Sequence, residues 1–246
     1  MKKQTWDLYA PVYELAMRSD LKTYKQMYDR IPKVIKGKEV LEIATGPGML
    51  AKHVAHAAGH MIATDFSDGM IREAKKGTCP DNLTFEVADA MALPYADHSF
   101  DVVIIANALH IVPDPEKVLS EIDRVLKDKG ILIAPNFVEH NTGLVSRLWS
   151  GILNLAGVRF AHQWSSEEYL HFLEDHGWRV VNAKNPGRQN HPGIYRVREK
   201  RTLLRESPRI LKKDGIFLFQ VFIYAYILRI LYSRQLCIII DYTGVT

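Results

Sequence analysis

Three carboxylates, two glycines, an asparagine and a histidine stand where short apolar runs of this 246-residue chain end. Glu42 closes Val40-Leu41-Glu42-Ile43 just ahead of Gly46 and Gly48. Glycines there let the backbone approach a ligand closely, and a helix that follows offers free N–H groups. Asp65 ends the next run; a carboxylate at a second strand end can accept two hydrogen bonds from a ribose diol. Asp89 follows the third run, and Asn107 and His110 follow the fourth. Of these, His110 is the best candidate for a general base. Each residue also has a plainer role open to it. Gly46 and Gly48 could form a tight turn, Asp65 a helix N-cap, Asp89 an Asx turn, and His110 a packed core histidine.

The elements that must position these groups alternate. Buried strands are expected at 38–44, 60–64, 83–87, 100–106, 130–134 and 178–183. Helices are expected from Met49 to Ala58, over 68–76 with Ser67 as N-cap, and from Pro115 to just before Gly130. A further helix opens at Ser165-Ser166-Glu167-Glu168, whose acids suit a first turn, and stops at Gly177. Strand–helix alternation with short loops argues for a parallel sheet covered on both faces. Ligands of such sheets bind beyond the carboxyl ends of the strands, where the motifs lie.

Residues 38 to about 138 resemble the class I S-adenosylmethionine-dependent methyltransferases, in the small-molecule branch of the quinone C-methyltransferases and bacterial phospholipid N-methyltransferases. The family's first motif, apolar-apolar-acid-apolar-Gly-x-Gly-x-Gly, is met by Val40-Leu41-Glu42-Ile43-Ala44-Thr45-Gly46-Pro47-Gly48, with Ala44 in place of the first glycine. The block from Ala88 to Gly130 resembles the family almost throughout. The resemblance implies a doubly wound, mostly parallel seven-stranded sheet, with 216–226 as a source of the seventh, antiparallel strand. It implies S-adenosylmethionine as cofactor. Glu42 would meet the amino group of its methionine moiety, and Ala44, Gly46 and Gly48 would let the loop lie against it. Asp65, with Phe66 beside it, would take the ribose. Asp89 and the Ala90 N–H would read adenine, and Asn107 would hold the amino-acid end. "WDLYAPVYELAM" is similar to the family's lid helix, with Tyr9 or Tyr13 closing over the site. The implied domains are 1–30 (lid), 31–190 (cofactor-binding, with a substrate cap at 139–164) and 191–246 (tail).

The implied reaction is in-line displacement at a sulfonium methyl. It needs alignment and exclusion of water, with a base only where the nucleophile must lose a proton. His110 is the first candidate for that base, and Tyr13 and His140 are weaker ones. Gly46-Pro-Gly48-Met-Leu-Ala51 also fits a dinucleotide fingerprint, so an NAD(P)-dependent oxidoreductase is the rival enzyme, and a non-catalytic S-adenosylmethionine-binding module is the rival outside catalysis. Against the oxidoreductase, Glu42 and Asp89 have no role there. His53, His56 and His60 share helical spacing, but no acid or cysteine completes a metal set.

Composition narrows the partners. With 47% hydrophobic residues the chain is not disordered, and two cysteines cannot build a disulfide framework, which fits reducing cytosol. Charges through the first thirty residues argue against a secretory signal. Residues 1–199 hold 24 Lys+Arg against 25 Asp+Glu, and 200–246 hold 8 against 3. The body therefore lacks the basic field that nucleic acid would call for. Leu144, Val145, Leu148, Trp149, Ile152, Leu153 and Leu155 make a broad apolar surface in 139–164, either sheet cover or the lining of a pocket for an apolar or amphipathic small molecule. The tail is basic, with a nearly continuous apolar run over 216–232. Packing on the domain and peripheral membrane contact through 208–246 both stay open, with a cytoplasmic location expected in either case. Oligomeric state is not written in the sequence.

Overall fold

The computed structural model describes residues 6–7, 10–11, 21–136, 162, 164–178, 183–184 and 237–238. Five strands form one sheet: β1 (Glu39–Ile43), β2 (His60–Asp65), β3 (Leu83–Val87), β4 (Phe100–Ile105) and β5 (Leu126–Ile133). Their order is β3-β2-β1-β4-β5, and every neighbouring pair is parallel. The winding reverses between β1 and β4, so the carboxyl ends of those strands flank the natural ligand crevice of an open α/β sheet.

Apolar content drives this arrangement. Val102, Val103, Ile104 and Ile105 of β4 are buried to 1% exposure or less, and burying each such side chain contributes about 1.5–3 kcal/mol. Helices close both faces: α1 (Leu21–Val34), α2 (Met49–Val54), α3 (Asp68–Ala74), α4 (Pro115–Val125) and α5 (Ser166–Asp175). Val118, Leu119, Ile122 and Val125 of α4 are buried, the spacing of one helical face. The starts are capped as the sequence suggests. Ser67 accepts from the Met70 N–H, Asp114 from the Lys117 N–H, and Ser165 with Glu168 forms a reciprocal capping box. Tyr169 of α5 reaches under the sheet edge to donate to the Ala134 carbonyl at 3.0 Å.

Several expected boundaries move. The helix from Met49 to Ala58 is α-helical only to Val54 and tightens to a 3-10 turn over Ala55–Ala57. The helix over 68–76 ends at Ala74. The helix expected to run almost to Gly130 stops at Val125, and β5 begins at once with Leu126, paired to Phe100. Lys127, Asp128 and Lys129 read as a last helical turn, but Lys127 bonds Asp101 of β4 at 2.8 Å, so strand pairing overrides local propensity.

The main sheet has five strands among the described residues, where seven were expected. Of the expected strand at 178–183, Trp178 and Ala183 are described: Trp178 is buried but in no strand. With Lys184, Ala183 forms β6 (Ala183–Lys184), antiparallel to β7 (Cys237–Ile238) in a separate two-stranded ladder. The expected strand at 216–226, most of the cap at 139–164 and most of the tail lie outside the described residues. Among the described residues no helix is long and apolar enough to cross a membrane.

Ala44 sits at φ 56, in the left-handed region. That conformation strains a residue with a Cβ by about 1–2 kcal/mol, partly offset by the entropy glycine would lose on folding. Ala44→Gly should therefore raise stability by about 0.5–1 kcal/mol and the melting temperature by about 1–4 °C in calorimetry. A fall in melting temperature would show the loop to be relaxed with alanine in place.

Candidate active site

The first two strand ends are tied by a carboxylate. Asp65 Oδ2 accepts from the Gly46 N–H at 2.9 Å and Oδ1 from the Ser67 N–H at 2.9 Å. It thus fixes the glycine loop after β1 to the turn before α3. Ser67, not Asp65, caps the helix. Burial pushes the Asp65 carboxyl upward, while the two backbone donors pull it back. Gly46 (φ 58) and Gly48 (φ 78) both need the left-handed region, and a Cβ on Gly48 would lie 2.6 Å from the Phe85 ring. The glycines thus serve turn geometry and close packing together.

Glu42 stands beside them in β1, 2% exposed. Burial, with the Asp65 charge added, raises its pKa from 4.5 to about 8. The Thr45 hydroxyl draws it down, though short of hydrogen-bond geometry, and Oε2 has no hydrogen-bond partner among the described residues. A buried carboxyl of this kind calls for a cationic donor.

At the third strand end, Asp89 Oδ1 accepts from the Met91 N–H at 2.9 Å in an Asx turn. Among the described residues, Phe66 (45% exposed) and Val87 (42% exposed) are the large hydrophobics left in the open. Phe66 follows Asp65, which is paired with Val87 across β2 and β3, so the two lie at adjoining strand ends. The loop after Asp89 is held from below by α4. Glu121 accepts from the Leu93 N–H at 2.9 Å, and Arg124 donates to the Leu93 carbonyl at 2.9 Å and the Tyr95 carbonyl at 2.6 Å. Glu121 and Arg124 also pair with each other at 2.8 Å.

At the fourth, Asn107 takes φ 55, a conformation asparagine tolerates, and donates its N–H to the Pro135 carbonyl at 2.7 Å. His110 is 4% exposed, and its Nδ1 lies 2.6 Å from Asn136 Oδ1. A carboxamide oxygen only accepts, so the proton sits on Nδ1. Burial lowers the His110 pKa to about 4, against the opposing pull of Asn136. The ring is therefore neutral near pH 7. The His110 carbonyl accepts from the His162 N–H at 3.1 Å, which ties the segment before α5 to this corner.

The structure thus gathers Glu42, Ala44, Gly46, Gly48, Asp65, Phe66, Asp89, Ala90, Asn107 and His110 along the carboxyl edge of the sheet. Tyr9, Tyr13 and His140 lie outside the described residues. His53 stacks on Tyr28, His56 bonds the His53 carbonyl and His60 faces Glu39. Among the described residues no group is placed to hold a metal ion. Sequence reasoning missed Val87, Glu121, Arg124 and Asn136. For Glu121 and Arg124 the signal was present: an acid and a base three apart, each next to a buried apolar residue of α4.

Comparison with known proteins agrees with this geometry. The family described as "Methyltransferase domain" matches residues 41–134. The chain is 34% identical over 203 residues to the demethylmenaquinone methyltransferase of Renibacterium salmoninarum, covering 73% of this chain and 84% of that one. It is 40% identical over 118 residues to the ubiquinone/menaquinone biosynthesis C-methyltransferase UbiE of Rickettsia akari, covering 44% and 47%. In structure it is similar to the Haloferax volcanii methyltransferase solved with the Trm112 methyltransferase activator, at TM-score 0.62 and 26% identity over 73% of this chain and 78% of that one. The sheet order is that of a Rossmann-like fold. The chain belongs to the class I S-adenosylmethionine-dependent methyltransferases, in their quinone C-methyltransferase branch. It is an enzyme that uses S-adenosylmethionine, and neither rival reading stands.

The residues present fit that cofactor on physical grounds. Oε2 of the buried Glu42 carboxyl has no hydrogen-bond partner among the described residues, and the cofactor carries an ammonium and a sulfonium. Bound, the cofactor supplies a methyl group on a positively charged sulfur. Because Glu42 holds its proton to about pH 8, the folded protein binds more protons than the unfolded chain between pH 4.5 and 8. Its burial therefore costs stability increasingly as pH rises through that window, up to roughly 3 kcal/mol at pH 7. Glu42→Gln should raise the melting temperature at pH 8 and flatten its fall between pH 5 and 8. The same variant should bind S-adenosylmethionine at least tenfold more weakly. Wild type should release close to one proton on binding at pH 7, read by calorimetry in buffers of different ionisation enthalpy. Binding without proton release would mean that Glu42 does not meet the ammonium.

Proposed function

We propose that this enzyme methylates a ring carbon of a quinol-type acceptor, an apolar or amphipathic small molecule. The observation that carries this reading is the likeness to the Renibacterium demethylmenaquinone methyltransferase over 84% of that protein's length. The broad apolar surface of 139–164 supports it, as the cap of an acceptor pocket over a cofactor-binding domain at 31–190. Residues 1–30 act as the lid and 191–246 as a tail of separate character.

In this reading each residue has one task. Glu42 takes the ammonium of the cofactor, and the loop from Ala44 through Gly48 lies along its methionine moiety. Asp65 spends one lone pair of each oxygen on backbone and keeps the others for the ribose hydroxyls. Phe66 and Val87 present apolar faces to the adenine ring. Asp89 accepts from its amino group, and the Ala90 N–H donates to it. Asn107 holds the amino-acid end, and Tyr9 or Tyr13 closes over the site.

Methylation at carbon needs electron density in the ring, raised when a quinol hydroxyl loses its proton, and the methylated carbon must then lose its own. His110, neutral and proton-bearing on Nδ1, is the group that accepts such a proton, with Asn136 steadying the ring; Tyr13 and His140 are the further candidates. A histidine held near 4 is a modest base, so positioning carries most of the rate.

With methyl-labelled cofactor, label should enter a demethylmenaquinol on carbon and not the amine of phosphatidylethanolamine; label in the lipid amine would overturn the reading. His110→Ala should lower kcat about 10²-fold with KM for S-adenosylmethionine within twofold. Wild-type kcat should show no inflection near pH 6.5, because His110 stays neutral until about pH 4. Unchanged turnover in the variant would remove His110 from the mechanism.

A further inference from the structure

Asp7 lies far from α3 in sequence and against it in space. Its Oδ1 accepts from Ser67 Oγ–H at 2.6 Å and from the Gly69 N–H at 2.7 Å. Ser67 is fully buried, and its hydroxyl is used twice, donating to Asp7 and accepting from the Met70 N–H at 3.0 Å. The Ser67 N–H goes to Asp65. One serine therefore stands between two carboxylates, Asp7 on its hydroxyl and Asp65 on its amide.

The approach is close enough to dictate a residue type. A Cβ on Gly69 would lie 2.7 Å from Asp7 Cα and 3.0 Å from the Asp7 carbonyl oxygen. The N-terminal backbone is thus pressed onto the first turn of α3, where only glycine leaves room. Trp6, Asp7, Ala10 and Pro11 are helical, and Ala10 is 2% exposed. The contact chain runs Asp7–Ser67–Asp65–Gly46, from the N-terminal segment to the glycine loop of the cofactor crevice.

We propose that Asp7 is a positioning residue that couples docking of the N-terminal segment to occupancy of the cofactor site. It acts through Ser67 on Asp65 and rests on the reading of Asp65 as the ribose carboxylate. Ser67 donates its hydroxyl to Asp7 and its N–H to Asp65, so seating Asp7 orders the turn that aims Asp65, and ligand hydroxyls that hold Asp65 order the turn on which Asp7 sits. Ligand binding then favours docking, and docking favours binding by the same factor.

Four full-length variants test this: Asp65→Ala, Asp7→Ala, Asp7→Asn and Gly69→Ala. Asp7→Ala should weaken S-adenosylmethionine binding about fivefold to tenfold, raising KM for the cofactor more than it lowers kcat. Asp7→Asn keeps an oxygen that accepts from both donors and should restore most of the affinity. Gly69→Ala favours the helix but obstructs Asp7, so it should keep the domain folded and reproduce the Asp7→Ala phenotype. Combining Asp7→Ala with Gly69→Ala should weaken binding no further than either change alone. Hydrogen exchange over residues 4–16 should slow when S-adenosylhomocysteine binds wild type, and not when it binds Asp7→Ala. Intact binding by Asp65→Ala would overturn the ribose reading and this proposal with it. Weakened binding by Asp65→Ala, but binding within twofold of wild type by both Asp7→Ala and Gly69→Ala, would overturn this proposal alone.

Discussion

Two carboxyls held side by side at the ends of β1 and β2 set the terms for the rest of the molecule. Burial works against the charge of both Glu42 and Asp65; the Asp65 charge adds to the cost at Glu42, and the Asp7 charge to the cost at Asp65. The chain answers unevenly. Asp65 receives two backbone N–H groups, which stabilise its ionised form and tie the β1 loop to α3. Glu42 receives none on Oε2 and is held protonated instead. One carboxyl is built into the scaffold, while the other is left short of a cation. That asymmetry separates a residue that shapes the loop from one whose buried acid keeps an acceptor unused. It also places a stability cost inside the site, as expected where function and folding compete.

Much of the central fold was legible because parallel strands buried on both faces must be written as apolar runs. Val102 to Ile105 could be little else, and the caps at Ser67, Asp114 and Ser165 announced their helices through side chains that bond locally. Local signals failed where distant partners decided. Lys127 to Lys129 read as helix, yet Leu126 pairs with Phe100 and Lys127 with Asp101, across the sheet. The strand-end position of the site's acids and glycines was visible, because each follows or closes a short apolar run. Their supports were not. Arg124 grips two carbonyls about thirty residues away, and Asn136 meets His110 from the end of another strand. A backbone carbonyl leaves no mark in the sequence, so a side chain chosen to bond one looks like an ordinary surface charge.

The Glu121–Arg124 pair illustrates how such support works. An ion pair that is mostly solvated adds little to stability. Glu121 is 8% exposed, however, and the pair also bonds the backbone of Leu93 and Tyr95, with Asp97 beside Arg124 and Lys117 beside Glu121 as further ionic partners. The loop between Asp89 and β4 has no sheet neighbour to fix it beyond one bridge between Asp89 and Ala92. Holding it from α4 restricts where Asp89 can stand. Tyr95 adds a second tether through its hydroxyl to Glu86 at 2.8 Å.

Backbone strain is distributed by the same logic. Of the three described non-glycine residues at positive φ, Ala44 and Asn107 immediately follow or nearly follow β1 and β4. These are the strands between which the winding reverses. Each turns the chain sharply at the place where a ligand must meet backbone rather than side chain. Asn107 carries its conformation cheaply and secures it through the Pro135 carbonyl, which links β4 to β5. Ala44 has only the neighbouring ladder to hold it, with Thr45 donating to Thr64 on β2 at 2.8 Å. Strain of this kind persists only where surrounding structure over-determines it. Here the over-determination comes from β2 on one side and β5 on the other, so the outer strands fix the geometry of the two inner strand ends that open onto the crevice.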